Sequence, residues 1–145
     1  MTTAWVLVAD ATRARIFSAE KPTAGLTEVQ ALSHPEGRLH EGDLTSDTAG
    51  MDLNGSSPTT HDMGHTSDAK QQEAIRFAEE IRDAIESGRT AGRFGKLYVI
   101  AAPAFLGILR KHYSSAMRRM IAAEIDKNLT THDPAEIRRQ LPEYL

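Results

Sequence analysis

Histidine and aspartate side chains are concentrated in one polar stretch of the chain, where they could hold a metal ion. Residues 34–67 contain four of the six histidines, interleaved with aspartate, glycine, serine and threonine. His61, Asp62 and His65 lie closest together, and imidazole with carboxylate suits zinc, iron or manganese. A metal ion there could activate water, which predicts a metal-dependent hydrolase or nuclease. Ligand spacing in a loop is permissive, so a solvated segment without metal fits the same residues.

Carboxylates in or beside the apolar runs offer a second kind of chemistry. Asp10 follows the first apolar run, and Glu124 and Asp126 lie in the last one. A nuclease of the two-metal type needs several converging carboxylates. Residues 99–102, where another acid would be wanted, are wholly apolar. Asp10 is therefore interpreted as a turn residue whose side chain accepts hydrogen bonds from its own backbone.

Basic residues are concentrated in a different part of the chain. Between residues 89 and 119 there are seven basic and no acidic residues, although the whole chain has 17 basic and 20 acidic residues. A local positive field can bind phosphate groups even on an acidic protein, which predicts a nucleic-acid surface. The alternative is that these residues are only the solvated ends of helices and strands. The seven are Arg89, Arg93, Lys96, Arg110, Lys111, Arg118 and Arg119.

Several functional classes find no support in the sequence. The absence of cysteine excludes disulfides, thiolate zinc sites and cysteine nucleophiles. No nucleophile elbow, phosphate-binding glycine loop or dinucleotide fingerprint is present, so we expect no cofactor. Neither a signal peptide nor an apolar run of ~20 residues occurs, so we expect a cytoplasmic protein with no membrane partner.

The first half of the chain predicts three strands and a loop. Apolar and β-branched runs indicate strands at residues 5–9, 14–18 and 26–32, the first two forming a hairpin. Trp5, the single tryptophan, is expected in the core. Residues 35–67 are predicted as a long, flexible loop within a single domain that spans residues 1–145.

The second half alternates helices and strands. Asp68 is predicted to cap a helix that Gly88 ends, and a strand at residues 97–102 follows. A helix at 103–112 and a strand at 120–126 come next, before a last helix that opens at Asp133 and Pro134. This order predicts an α/β fold, with a mixed five-stranded sheet flanked by helices. Ribonuclease-H-like sheets have the same order.

Several separate segments resemble one bacterial family. They occur in the same order as in the host attachment proteins, which are described as required for attachment to host cells. The resemblance covers nearly the whole chain outside residues 35–67. The matching segments are Trp-Val-Leu-Val-Ala-Asp at 5–10, Ala-Arg-Ile-Phe at 14–17, Arg-Phe-Ala-Glu-Glu-Ile at 76–81, Ala-Ala-Pro-Ala-Phe-Leu-Gly-Ile-Leu-Arg at 101–110 and Glu-Ile-Asp-Lys-Asn-Leu-Thr at 124–130.

That family is in turn similar to the middle domain of the class I release factors of archaea and eukaryotes, and of Pelota. In the release factors a Gly-Gly-Gln tripeptide stands just before a Ser-Ala-Leu-Arg-Phe-Ala helix. Aligned on Arg76, Gln72 falls on the glutamine, while Lys70 and Gln71 replace the two glycines. The replacements lack the small size and freedom of glycine, which argues against peptide-release chemistry. Gln72 is the one catalytic candidate, and an ordinary exposed glutamine is the alternative.

The resemblance therefore implies a non-enzymatic binding protein with a role in translation or stress. Its expected partner is the ribosome or structured RNA, contacted through the seven basic residues with Gln72 nearby. Attachment to a host would then be an indirect phenotype. A homo-oligomer whose apolar surface joins subunits is a further expectation.

Overall fold

The computed structural model describes residues 3–34 and 59–145, with side chains in the second range from residue 68 onward. This part of the chain forms five strands and four helices. The predicted α/β class, with a mixed five-stranded sheet flanked by helices, is confirmed. The elements are β1 (Ala4–Ala9), β2 (Arg13–Ala19), β3 (Thr27–Ser33), α1 (Thr59–Thr90), β4 (Lys96–Ala101), α2 (Pro103–His112), α3 (Ser115–Met120), β5 (Ile121–Ile125) and α4 (Pro134–Arg139).

The sheet has the order β3-β2-β1-β4-β5. β1 pairs antiparallel with β2, as the predicted hairpin requires, and β2 pairs antiparallel with β3. On its other side β1 pairs parallel with β4, which pairs parallel with β5. Parallel neighbours need crossover connections, and these place helices on the sheet. The two apolar strands β1 and β4 are therefore central and buried on both faces.

Side chains of β1 alternate between two apolar layers. Trp5 and Leu7 face the layer that contains Phe77 of α1 and residues of α2 and α3. Val6 and Val8 face the second layer, which contains Ile137 of α4 and the last residues of the chain. Trp5 is 3% exposed, which confirms its predicted place in the core.

Helix α1 begins and ends at different residues from those predicted. It starts at Thr59 rather than Asp68, so residues 59–67 are helical and not part of a loop. Apolar periodicity marks only the part of a helix that packs on a core, and residues 59–67 have a single large apolar residue, Met63. The predicted flexibility of residues 35–58 concerns a segment outside the described residues.

Two glycines explain why α1 ends at a later residue than predicted. Gly88 lies inside the helix, where Trp5 packs directly against it. The position needs glycine because a Cβ there would lie 2.4 Å from the indole Cη2. The chain leaves the helix after Thr90, and Gly92 adopts the left-handed φ of 72° that favours glycine. Gly88 therefore allows close packing against Trp5 and does not end the helix.

The remaining predictions hold with two differences. β5 is a strand, and α4 opens with a capping box in which Asp133 accepts from the backbone N–H of Glu136. The short helix α3, capped by Ser114, was not predicted. β3, predicted as a strand at residues 26–32, spans Thr27–Ser33 and is exposed along most of its length, because it forms an edge of the sheet and only Leu32 packs on the core.

Candidate nucleic-acid interface

The seven predicted basic residues lie at one end of the sheet, which we call the basic end. Leu97 of β4 pairs with Ile121 of β5, so the chain entering these parallel strands passes the same edge of the sheet. Gly88 on Trp5 brings the last turns of α1 to this end, and α2 returns the chain to it from the opposite end. The basic end comprises Arg89, Arg93, Lys96, Arg110, Lys111, Arg118 and Arg119.

Glu86 neutralises one of these cations and joins two elements. Its carboxylate accepts from the Arg89 guanidinium, with an Nη2–Oε2 distance of 2.7 Å, and from the Ser114 hydroxyl that also caps α3. These two hydrogen bonds hold the pKa of Glu86 below its ordinary value, because both favour the ionised carboxylate. Glu86 therefore connects α1 with the turn between α2 and α3, and its second oxygen neutralises Arg89 within α1.

Glu124 has the same role for a second cation. It accepts from Arg110 Nε at 2.9 Å and from the Tyr113 hydroxyl at 2.8 Å. Burial raises the pKa of Tyr113 far above its ordinary value, and the neighbouring carboxylate raises it further. Arg118 lies 5.6 Å from the centre of the Tyr113 ring and donates to the Arg110 carbonyl at 2.6 Å. That bond satisfies one of the carbonyls at the end of α2 and leaves the Arg118 charge uncompensated.

Four exposed cations remain at the basic end. Arg93, Lys111 and Arg119 make no ion pair with another described residue, and Arg118 contacts only a carbonyl and a ring. Lys96 lies apart from them, because it alternates with Leu97 and so faces the side of the sheet that carries α4. The structure thus brings together most, not all, of the predicted surface.

An ordinary structural role also accounts for part of this charge. Arg89, the pair Arg110 and Lys111, and the pair Arg118 and Arg119 occupy the last turns of three helices. Cations there interact favourably with the partial negative charge of the free carbonyls. Arg93 lies in the connection after α1 and has no such role.

Gln72 does not lie near the basic end, so that part of the prediction is wrong. Gln72 and Arg89 are seventeen residues apart on the same helix, which separates them by about 25 Å at ~1.5 Å per residue. Nor is Gln72 in the first helical turn, because α1 starts at Thr59. Its side chain is exposed, as are those of Lys70 and Gln71.

A buried histidine at the opposite end of the sheet has a structural role that the sequence did not predict. His34 is 4% exposed, and its Nε2 lies 2.6 Å from Oε2 of Glu73. Its ring also packs against Phe77, with the ring centres 5.4 Å apart. The sequence places His34 in the polar stretch that could hold a metal ion, whereas in the fold it anchors the end of β3 to α1. The partners are 39 positions apart, so no local pattern could reveal the contact.

Asp10 has the structural role predicted for it. Its Oδ1 accepts from the backbone N–H groups of Thr12 and Arg13 at 2.8 and 2.9 Å. Its Oδ2 accepts from the hydroxyl of Thr130, a buried residue, at 3.0 Å. Partial burial raises the pKa of Asp10, but the hydrogen bonds from Thr12, Arg13 and Thr130 outweigh burial, so the pKa lies below its ordinary value.

A metal centre finds no ligand set among the described side chains, where no three His, Asp or Glu residues are placed to hold an ion. Glu124 and Asp10 therefore do not form the acidic site that a two-metal nuclease would need. The backbones of His61, Asp62 and His65 lie in α1, but their side chains are outside the described residues. That metal site stays a prediction.

Comparison with known proteins assigns the chain to a family. No curated protein matches it. Within residues 3–34 and 59–145, no helix is long and apolar enough to cross a bilayer. The model of the family described as "Protein required for attachment to host cells" matches residues 5–141, a range that includes all four helices and nearly the whole sheet. The chain therefore belongs to the host attachment family, as its sequence segments predicted.

Proposed function

We propose that this protein is a non-enzymatic, cytoplasmic binding protein that contacts the ribosome or structured RNA through the basic end. One observation supports the proposal above the others. Four exposed cations of the basic end have no neutralising acid among the described residues, while the two acids Glu86 and Glu124 are already paired with Arg89 and Arg110. The four are Arg93, Lys111, Arg118 and Arg119.

The charge distribution supports an oriented approach to a polyanion. Outside residues 89–119 the chain has 10 basic and 20 acidic residues, so the rest of the molecule is repelled by phosphate. A protein with one positive end and an acidic remainder meets a nucleic acid in a preferred orientation. Planar guanidinium groups, which three of the four cations carry, suit paired contacts with phosphate oxygens.

The expected strength of these contacts follows from counterion release. Four phosphate contacts give a slope of about −2.8 to −3.6 for log K against log salt concentration, or a loss of roughly 50- to 150-fold between about 50 and 200 mM salt. Contacts of this kind carry little sequence information, so the proposed binding depends on phosphate density and shape.

Polysome sedimentation of the purified protein at low and high salt tests the proposal. We expect co-sedimentation with ribosomal particles at low salt and release at high salt. The double variant Lys111→Glu with Arg119→Glu should lose co-sedimentation, because two of the proposed phosphate contacts become repulsive. The variant should still fold, because both side chains are exposed and make no ion pair with another described residue. The control Lys70→Glu makes one such charge reversal at an exposed position near the other end of the sheet, and should sediment like the wild type, whereas Lys111→Glu alone, with the same change in net charge, should weaken co-sedimentation.

Direct binding to a structured RNA gives the quantitative check. The double variant should reduce the salt slope by about two, one for each lost phosphate contact. If the wild-type protein stays at the top of the gradient at both salt concentrations, the proposal is wrong. The same holds if Lys70→Glu weakens binding as much as the double variant. Attachment to host cells, which gives the family its name, is on this proposal an indirect consequence of the RNA contact.

A further inference from the structure

The two edges of the sheet differ in charge and in exposure. We infer that the free edge of β3 pairs with β3 of a second copy of this chain, which joins two sheets into one. β3 is the last strand on its side of the sheet and pairs only with β2 among the described strands. Its outer N–H and C=O groups are a template for another strand. This inference stands independently of the proposed RNA contact.

Apart from one irregularity in register, the β3 edge lacks the features by which edge strands avoid pairing. The strand is seven residues long and contains neither lysine nor proline. Its one charged residue, Glu28, is neutralised by Arg15 of β2 at 2.9 Å. A shift in register beside Val29 twists the start of the strand, but residues 30–33 pair regularly with β2. Residues 30–33 are therefore a neutral stretch of backbone whose outer side pairs with no other described strand.

Apolar surface accompanies this edge. The two large hydrophobic residues exposed in the described part of the chain are Val29, at 45%, and Tyr144, at 71%. Val29 is on β3 itself, and Tyr144 is held beside the turn that leads into it. The Leu145 amide donates to the Pro22 carbonyl at 3.0 Å, and Arg138 donates to carbonyls on both segments. An exposed aromatic side chain on a backbone held in this way suits an interface, because it offers a large apolar area at low cost in side-chain entropy.

Charge and length explain why the second copy meets β3 rather than β5. Charged residues flank β5 at both ends, with Arg118 and Arg119 before it and Asp126 and Lys127 after it, and β5 is only five residues long, so it is less suited to pairing with a second strand. Two β3 edges carry compensated charge and approach without like-charge repulsion. Since two paired strands with flanking side chains cover less than the ~1,200 Å² of a standard interface, we expect a weak, micromolar dimer.

Sedimentation velocity of the full chain, from low micromolar to near-millimolar concentration, tests the inference. We expect a reversible monomer–dimer equilibrium. Val29→Lys places a charge in the proposed interface at an exposed position and should weaken the dimer by about tenfold or more, the equivalent of ~1.4 kcal/mol. Gln30→Lys, a second exposed position on the strand, should act in the same way.

The matched control is Ala122→Lys, which adds the same charge to an exposed position on β5. It should leave the dimer unchanged. A wild-type chain that stays monomeric throughout, or a dimer that survives both β3 substitutions, overturns the inference. Protection from hydrogen exchange, in a monomeric chain, of those β3 amides that point away from β2 also overturns it, because the edge would then be covered by another segment of the same chain. Circular dichroism and Trp5 emission show whether each variant is folded.

Discussion

Replacement of Gly88 by alanine should destabilise the protein although Gly88 lies inside a helix. An added Cβ would lie 2.4 Å from Cη2 and 2.5 Å from Cζ3 of Trp5, distances that real Cβ atoms do not reach. The indole ring cannot simply move aside, because it is 3% exposed and stacks on Phe94 with the ring centres 4.7 Å apart. Either the ring or the helix must shift within a close-packed layer.

Two opposing terms set the size of this effect. Alanine inside a helix is favoured over glycine by about 1 kcal/mol. Overpacking a filled core costs about 1–3 kcal/mol, and the buried ring places Gly88 toward the upper part of that range. We therefore expect Gly88→Ala to lower the free energy of unfolding by about 1–2 kcal/mol. If a small movement of α1 relieves part of the clash, the loss in free energy of unfolding should be about 1 kcal/mol.

Gly107→Ala is the matched control. Gly107 lies inside α2, and nothing is within 4 Å of its added Cβ, so only the helix preference of alanine applies. We expect this variant to be more stable by about 0.5–1 kcal/mol. Urea unfolding followed by Trp5 emission measures both, and the two midpoints should move in opposite directions. A Gly88→Ala protein as stable as Gly107→Ala would refute the packing argument. In a Trp5→Phe background, followed by circular dichroism, most of the cost of Gly88→Ala should disappear.

Two further predictions concern polar groups that hold segments together. Arg138 donates to the carbonyls of residues 22, 24, 142 and 143, so Arg138→Met should lower the free energy of unfolding by about 2 kcal/mol. The control Arg139→Met, on the exposed side of α4, should change the free energy of unfolding by less than about 0.5 kcal/mol. Equal effects of the two substitutions in a melting experiment would contradict this assignment. Because the folded-state pKa of Asp10 is lowered, its carboxylate stabilises the fold above its ordinary pKa, and this contribution disappears as pH falls through the folded-state value. The stability difference between wild type and Asp10→Ala should thus be constant from about pH 7 to 5 and shrink below about pH 4, whereas a difference unchanged down to about pH 2 would disprove the linkage.

The sheet could be predicted from sequence because burial leaves a plain pattern. Strands buried on both faces, such as β1 and β4, need continuous apolar residues, and β-branched side chains favour the extended backbone. The opening of α4 was equally predictable, since Asp133 and Pro134 give a local chemical signal. The beginning of α1 could not be found in this way, because its first turns lack the apolar stripe that packs on a core.

The candidate site was predictable in composition but not in geometry. A run of basic residues without acids is visible in the sequence, yet the acids that occupy Arg89 and Arg110 come from neighbouring turns and another strand. Gln72 was predicted to lie near the cations, but α1 separates it from Arg89 by about 25 Å. Contacts between distant segments, such as His34 with Glu73, depend on topology that no local pattern contains.

The parallel pairing at the centre of the sheet has a consequence for the growing chain. Ala4 lies beside Lys96 and Ala9 beside Ala101, so one edge of β1 has no partner until β4 has been synthesised. At ~5–20 residues per second this delay lasts roughly 5–20 s. During that time β2 can cover one edge of β1, while the other presents six apolar residues in extended form to any neighbouring strand. Slower synthesis of β4 therefore lengthens the time during which the open edge of β1 can pair with another chain.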